Sequence, residues 1–194
     1  MYTSGSTGKP KGVQLSHGNL IASLASVYFL FGHHLPDDSV YLAYLPLAHV
    51  FEYIVELVAM YGGVTSVYAR PKTLTDASVR NCKGDLTAYQ PTVMLGVPAV
   101  WEQIRKGIVG KLDKMGWVTK TVVETALSMK KRNVPVMGYL MDKYVLKNIR
   151  TPTGGNLRWA INGGAAISKD TQEYLSLSIM PLMQGAFFLS LSLL

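Results

Sequence analysis

The run Tyr2-Thr3-Ser4-Gly5-Ser6-Thr7-Gly8-Lys9-Pro10-Lys11-Gly12 brings together glycines, aliphatic hydroxyls and two lysines. Glycines let a backbone turn tightly and carry its N–H groups up to a bound anion. Hydroxyls add donors, and lysines add the positive charge that a polyphosphate complements. The run reads as a phosphate-cradling loop. Its spacing separates it from a Walker A loop, which needs G-x-x-x-x-G-K-[ST] with the lysine opening a helix. Gly5 to Gly8 is shorter, and Lys9 precedes Pro10, which lacks an N–H and biases the residue before it away from helix. The bland alternative is a flexible Gly/Ser linker, against which the interleaved Lys-Pro-Lys argues.

Two further constellations could do chemistry. In Pro46-Leu47-Ala48-His49-Val50-Phe51-Glu52, His49 falls at helical spacing from Glu52 and Glu56, so the three share one face of a predicted helix. A metal site is conceivable there without a clear ligand set, and a structural histidine is the rival reading. In Ile161-Asn162-Gly163-Gly164-Ala165-Ala166-Ile167-Ser168, an apolar strand runs into a glycine turn. Ligands bind beyond the carboxyl ends of strands in open parallel sheets, and two glycines let the backbone approach a flat base.

Tyr2 to Gly12, continuing into Val13, resembles the signature loop of the adenylate-forming superfamily. The resemblance implies that Thr3, Ser4, Gly5, Ser6, Thr7, Gly8 and Lys9 line the ATP triphosphate while a carboxylate attacks the α-phosphorus. It implies Thr3 near a Mg2+ ion and Lys9 stabilising the departing pyrophosphate. It also implies His49 at the acyl or adenylate site, and Asn162, Gly163, Gly164 and Ala165 against adenine. Together with Ser78 to Leu86, Gly96 to Glu102 and Gly154 to Arg158, these motifs resemble the long-chain fatty acyl-CoA synthetases of eukaryotes, with a fungal character. The activity implied is ATP-dependent conversion of a fatty acid to its acyl-adenylate, followed by transfer to CoA. The resemblance covers 1–185, a partial AMP-binding domain expected to lack activity alone and to be truncated at its start. After Leu182-Met183-Gln184-Gly185 the family continues into Gly-Tyr-Gly-x-Thr-Glu, whereas residues 186–194 form an atypical apolar tail. Two alternatives stand beside this reading: a catalytically dead fragment that associates with membranes, and an adenylating enzyme for another carboxylic acid.

Composition narrows the classes. At 194 residues with 48% hydrophobic and 16% charged content, the chain can bury a core and is not disordered. The single Cys82 excludes an internal disulfide and fits a reducing compartment. No secretory signal is visible, so an intracellular protein is expected; the resemblance adds the surfaces of endoplasmic reticulum, lipid droplets or peroxisomes. Eleven basic residues against Asp113, Glu124 and Asp142 give 105–150 a net charge of +8. Such a patch suits anionic lipid headgroups or a set of solvated helix faces. Nucleic acid is not expected, because no binding motif accompanies the charge. The uncharged run 174–194 meets the length of a membrane span, but Pro181, Gln184 and Gly185 interrupt it and a short strand is preferred over 179–183.

Elements must position these residues. Helices are expected over 16–31, 48–61, 76–82, 98–108, 119–132, 138–148 and 168–175, the last capped by Ser168. Strands are expected over 40–45, 64–68, 92–97, 157–161 and 179–183. This alternation predicts an α/β layered fold with a largely parallel sheet flanked by helices.

Overall fold

The run 40–44 carries apolar or aromatic residues at successive positions, the pattern of a strand buried on both faces. In the computed structural model, which describes residues 1–3, 11–132 and 145–185, it forms one strand of a five-stranded parallel sheet. The chain begins with β1 (Tyr2–Thr3) and β2 (Lys11–Gly12), paired antiparallel. The sheet comprises β3 (Val40–Ala43), β4 (Thr65–Tyr68), β5 (Val93–Gly96), β6 (Trp159–Asn162) and β7 (Leu182–Gln184). Their order is β4-β3-β5-β6-β7, all parallel. The chain steps one way from β3 to β4 and then back past β3 to β5. The switch point therefore falls between β3 and β5, where open α/β sheets leave a crevice.

Side chains alternate across the sheet and both faces are covered. Tyr41, Ala43, Val93, Leu95 and Ile161 pack against Val55 and Ala59 of helix α2 (Val50–Tyr61). Helix α1 (His17–Phe31) lies outside α2, with Val27 against Ile54 and Val58. On the opposite face, Leu42, Met94, Ala160 and Leu182 meet Trp101 and Ile104 of α4 (Pro98–Lys114) and Leu175 of the last helix. The remaining α-helices among the described residues are α3 (Asp85–Tyr89), α5 (Trp117–Lys131), α6 (Lys147–Arg150) and α7 (Lys169–Ser178).

Caps explain several boundaries. Ser16 accepts from the Asn19 N–H at 3.1 Å and Asn19 Oδ1 accepts from the Ser16 N–H at 3.0 Å, a reciprocal box that starts α1. Ser168 caps α7 by accepting from the Thr171 N–H. Pro98 opens α4, where a missing N–H costs nothing.

One expected helix is corrected. The helix over 76–82 is only a 3-10 turn, Asp76–Ser78, since Asp76 turns its carboxylate to the Gly84 N–H and Asn81 takes φ 58°. The chain instead coils at Asp85–Tyr89, an unexpected helix. In the uncharged run that begins at Tyr174, the sequence favours a short strand over 179–183 rather than a spanning helix; α7 ends at Ser178 and the strand, β7, lies at Leu182–Gln184 after Pro181. No helix among the described residues is long and apolar enough to cross a membrane. Most of the helix expected over 138–148, and the tail 186–194, lie outside the described residues.

Candidate active site

All five sheet strands run the same way, so their carboxyl ends share one edge. At that edge β3 leads through Pro46 to His49, β5 into Val97, β6 into Gly163 and β7 into Gly185. Backbone bonds continue the ladder beyond the strands: the Gly163 N–H donates to the Gly96 carbonyl at 2.9 Å, and the Gly185 N–H to the Asn162 carbonyl at 2.9 Å. The turn after β6 is thus held from both sides.

Within that turn the four residues assigned to adenine divide. Asn162 is 1% exposed, and its Nδ2 donates to the Ala165 carbonyl at 2.8 Å. Its side chain braces the turn from inside. Its Oδ1 is buried without a partner among the described residues. Gly163 is also buried, with the ring of Phe51 filling the space a side chain would need. Gly164, at φ 80°, and Ala165 are exposed, so they form the surface this turn offers to a ligand. A β-carbon on Gly164 would lie 3.6 Å from Val97 Cγ1, which brings the β5 and β6 ends into contact.

His49 occupies the N-cap position of α2 and is exposed. Its carbonyl accepts from the Tyr53 N–H at 3.2 Å, and no side-chain bond caps the helix. The expected face of His49, Glu52 and Glu56 does not assemble. Glu52 turns inward, fully buried, and accepts from the Tyr41 hydroxyl at 2.7 Å; Glu56 accepts from Tyr68 at 3.1 Å. Long-range bonds to strand tyrosines replace a common ligand set. Among the described residues no cluster of three His, Cys, Asp or Glu could hold a metal ion. Burial pushes the Glu52 carboxyl up to about 7; the Tyr41 bond opposes this and the Glu56 charge adds to it. Burial and the Glu52 charge likewise raise Tyr44, whose hydroxyl is buried without a partner among the described residues. A buried carboxyl with a raised pKa and two tyrosines therefore lie directly under the start of α2.

The phosphate-loop candidates divide as well. Thr3 lies in β1, opposite Lys11 of β2, so the described backbone forms the base of a hairpin. Ser4, Gly5, Ser6, Thr7, Gly8 and Lys9 lie outside the described residues. The structure thus gathers His49 and the 162–165 turn at one sheet edge. Sequence reasoning missed Phe51 and Val97 as their packing partners, although each lies inside a motif that drew attention.

Comparison with known proteins decides the family. The model for the AMP-binding enzyme family matches residues 1–185. The chain belongs to the AMP-binding enzymes. Within this family it is 49% identical over 189 residues to Long-chain-fatty-acid--CoA ligase 2 of Schizosaccharomyces pombe, covering 95% of this chain and 27% of that protein. It is 48% identical over 191 residues to Long-chain-fatty-acid--CoA ligase 4 of Saccharomyces cerevisiae, covering 95% and 26%. The chain thus spans about a quarter of the length of these relatives. Among solved structures, the inhibitor-bound N-terminal domain of FACL13 from Mycobacterium tuberculosis matches with TM-score 0.59 and 19% identity, over 99% of this chain and 37% of that one. This likeness supports the AMP-binding fold, a parallel sheet between helical layers.

Proposed function

We propose that this AMP-binding chain is part of a long-chain fatty acid–CoA ligase. A fatty acid carboxylate attacks the α-phosphorus of ATP, releasing pyrophosphate and forming a mixed anhydride with AMP. The CoA thiol then attacks the acyl carbon, forming the thioester and releasing AMP. The observation that carries this reading is the 48–49% identity to two fungal long-chain-fatty-acid–CoA ligases over 95% of this chain.

Each residue has a physical task in this scheme. Thr3 to Lys9 donate hydrogen bonds and charge to the phosphates, stabilising the pyrophosphate as negative charge builds on it. Gly164 and Ala165 present backbone and a methyl group to adenine, while Asn162 and Gly163 hold that surface in shape. His49, exposed at the start of α2, borders the acyl group or the adenylate. A magnesium ion would neutralise phosphate charge when bound. The described residues assemble no donor set for it, and Thr3 is the side chain assigned near it. The work of such an enzyme belongs at membrane surfaces, of endoplasmic reticulum, lipid droplets or peroxisomes, with the basic 105–150 segment facing the lipid.

The test is pyrophosphate exchange into ATP by the full-length protein carrying this segment, across acids of short, medium and long chain. Exchange dependent on a long-chain acid, and lost when Thr7 and Lys9 both become alanine, is the expected result. Exchange with short acids alone assigns a different adenylating enzyme. Thioester formation unaffected by the double substitution overturns the loop assignment.

A further inference from the structure

Helices α4 and α5 form a hairpin whose turn passes through Met115 and Gly116, the glycine at φ 89°. Ile108, Leu112, Val123 and Ala126 are buried in the hairpin. Apolar surface nevertheless continues to the outside of the turn. Trp117 is 80% exposed, Val118 55%, Met115 46% and Val122 45%. Beside them a cavity of about 230 Å3 opens between α4, α5 and the 145–152 segment, with Lys111 in its wall.

The charges around this hairpin are sorted by position. At the far end of α5, Lys131 pairs with Glu173 and Lys130 donates to the Leu177 carbonyl, which ties the hairpin to α7. Near the turn, Lys120 pairs with Asp113 at 2.8 Å. Lys111 and Lys114 have no hydrogen bond or ion pair among the described residues. The apex therefore joins an exposed indole and three apolar side chains to two uncompensated cations. A solvated helix face accounts for the lysines but not for the apolar group beside them. An indole has an apolar body and a polar N–H, and it settles at the headgroup level of a bilayer. Lysines there extend their ammonium groups to anionic headgroups while their stems cover apolar surface.

We propose that the α4–α5 apex is a docking surface for an anionic lipid bilayer: Lys111 and Lys114 engage headgroups, and Met115, Trp117 and Val118 enter the boundary with the acyl chains. This deepens the membrane placement given above by naming the surface, and it stands whichever acid the enzyme activates.

The test uses the full-length protein with vesicles of phosphatidylcholine alone, or with about 30% phosphatidylserine. Sedimentation with the anionic vesicles that weakens as salt is added is expected. Replacing Lys111 and Lys114 by alanine lowers partitioning roughly thirtyfold. Trp117→Ser with Val118→Ser weakens binding but leaves its salt dependence. A second readout is insensitive to misfolding of those variants. Brominated lipids quench more emission in the parent protein than in Trp117→Phe, because Trp101 is buried and Trp159 stacks on Phe31. Equal binding to neutral and anionic vesicles, or equal quenching in parent and Trp117→Phe, overturns the proposal. So does self-association that the Trp117→Ser, Val118→Ser variant abolishes in the absence of vesicle binding, which assigns the apex to a second copy of the chain.

Discussion

The ring of Phe51 fills the place that a side chain on Gly163 would occupy: a β-carbon there would stand 2.5 Å from the ring. Phe51 lies two residues beyond His49, and Gly163 opens the turn after β6. The segment read as the acyl border and the segment read as the adenine border are therefore joined by direct contact, across the switch point of the sheet.

Gly163→Ala forces the two segments apart. Overpacking of this kind costs about 1–3 kcal/mol, read as a lowered denaturant midpoint with an unchanged slope. Adding Phe51→Leu recovers part of the loss, since the shorter side chain leaves room. Full stability in the single variant would show that the ring moves aside freely.

Asn162→Ala removes the donor that holds the Ala165 carbonyl. Leaving a partly buried carbonyl without its bond costs about 1–3 kcal/mol. The turn loosens, so AMP affinity in the full-length protein falls along with thermal stability. Unchanged AMP binding would show that the turn keeps its shape without this brace.

Glu52 makes stability depend on pH with a definite sign. The unfolded chain loses this proton near 4.5, whereas the folded chain holds it up to about 7. The stabilisation is complete at low pH and is lost as pH rises between these values, by on the order of 3 kcal/mol in total. Glu52→Gln stays neutral throughout and lacks this component. Denaturation curves on either side of the window check it: the variant gains on the parent as pH rises. A constant difference between the two proteins would refute the assignment.

Ser16→Ala removes one half of the box that starts α1. A loss of about 1 kcal/mol is expected, with faster amide exchange in the first turn. Ser16→Asp restores most of it, because aspartate also accepts from the N3 amide. Failure of aspartate to restore stability would show that the hydroxyl has another task.

Much of this fold was legible because the signals were local. Apolar runs placed all five sheet strands within a few residues, and Ser16, Pro98 and Ser168 marked helix starts through capping chemistry. What escaped was set by distant contacts. The 76–82 stretch holds few strong helix formers beyond Ala77 and Arg80; Asp76 bonds to Gly84, and the backbone of Thr75 lies where a Gly84 side chain would stand. Helix α4 runs past 108 to Lys114, although Gly107 and Gly110 suggest an earlier end. The spacing of His49, Glu52 and Glu56 suggested a shared face; tyrosines on β3 and β4 drew the two carboxylates inward. Of the site, the glycine turn was readable as a motif, but its division into two buried and two exposed members needed Phe51 and Val97 in place.

The strand order also bears on how the chain is made. Val93 of β5 pairs with Tyr41 on one side and with Trp159 on the other. During synthesis the first partner is already present, whereas the second emerges only after the whole α4–α5 hairpin. Throughout that interval β5 presents the unpaired edge of an apolar strand, a template for other nascent chains. Parallel pairing across so long a loop is slow to form. Slower translation at reduced temperature, or a holdase that covers this edge, should raise the yield of soluble protein more than any change to the finished surface.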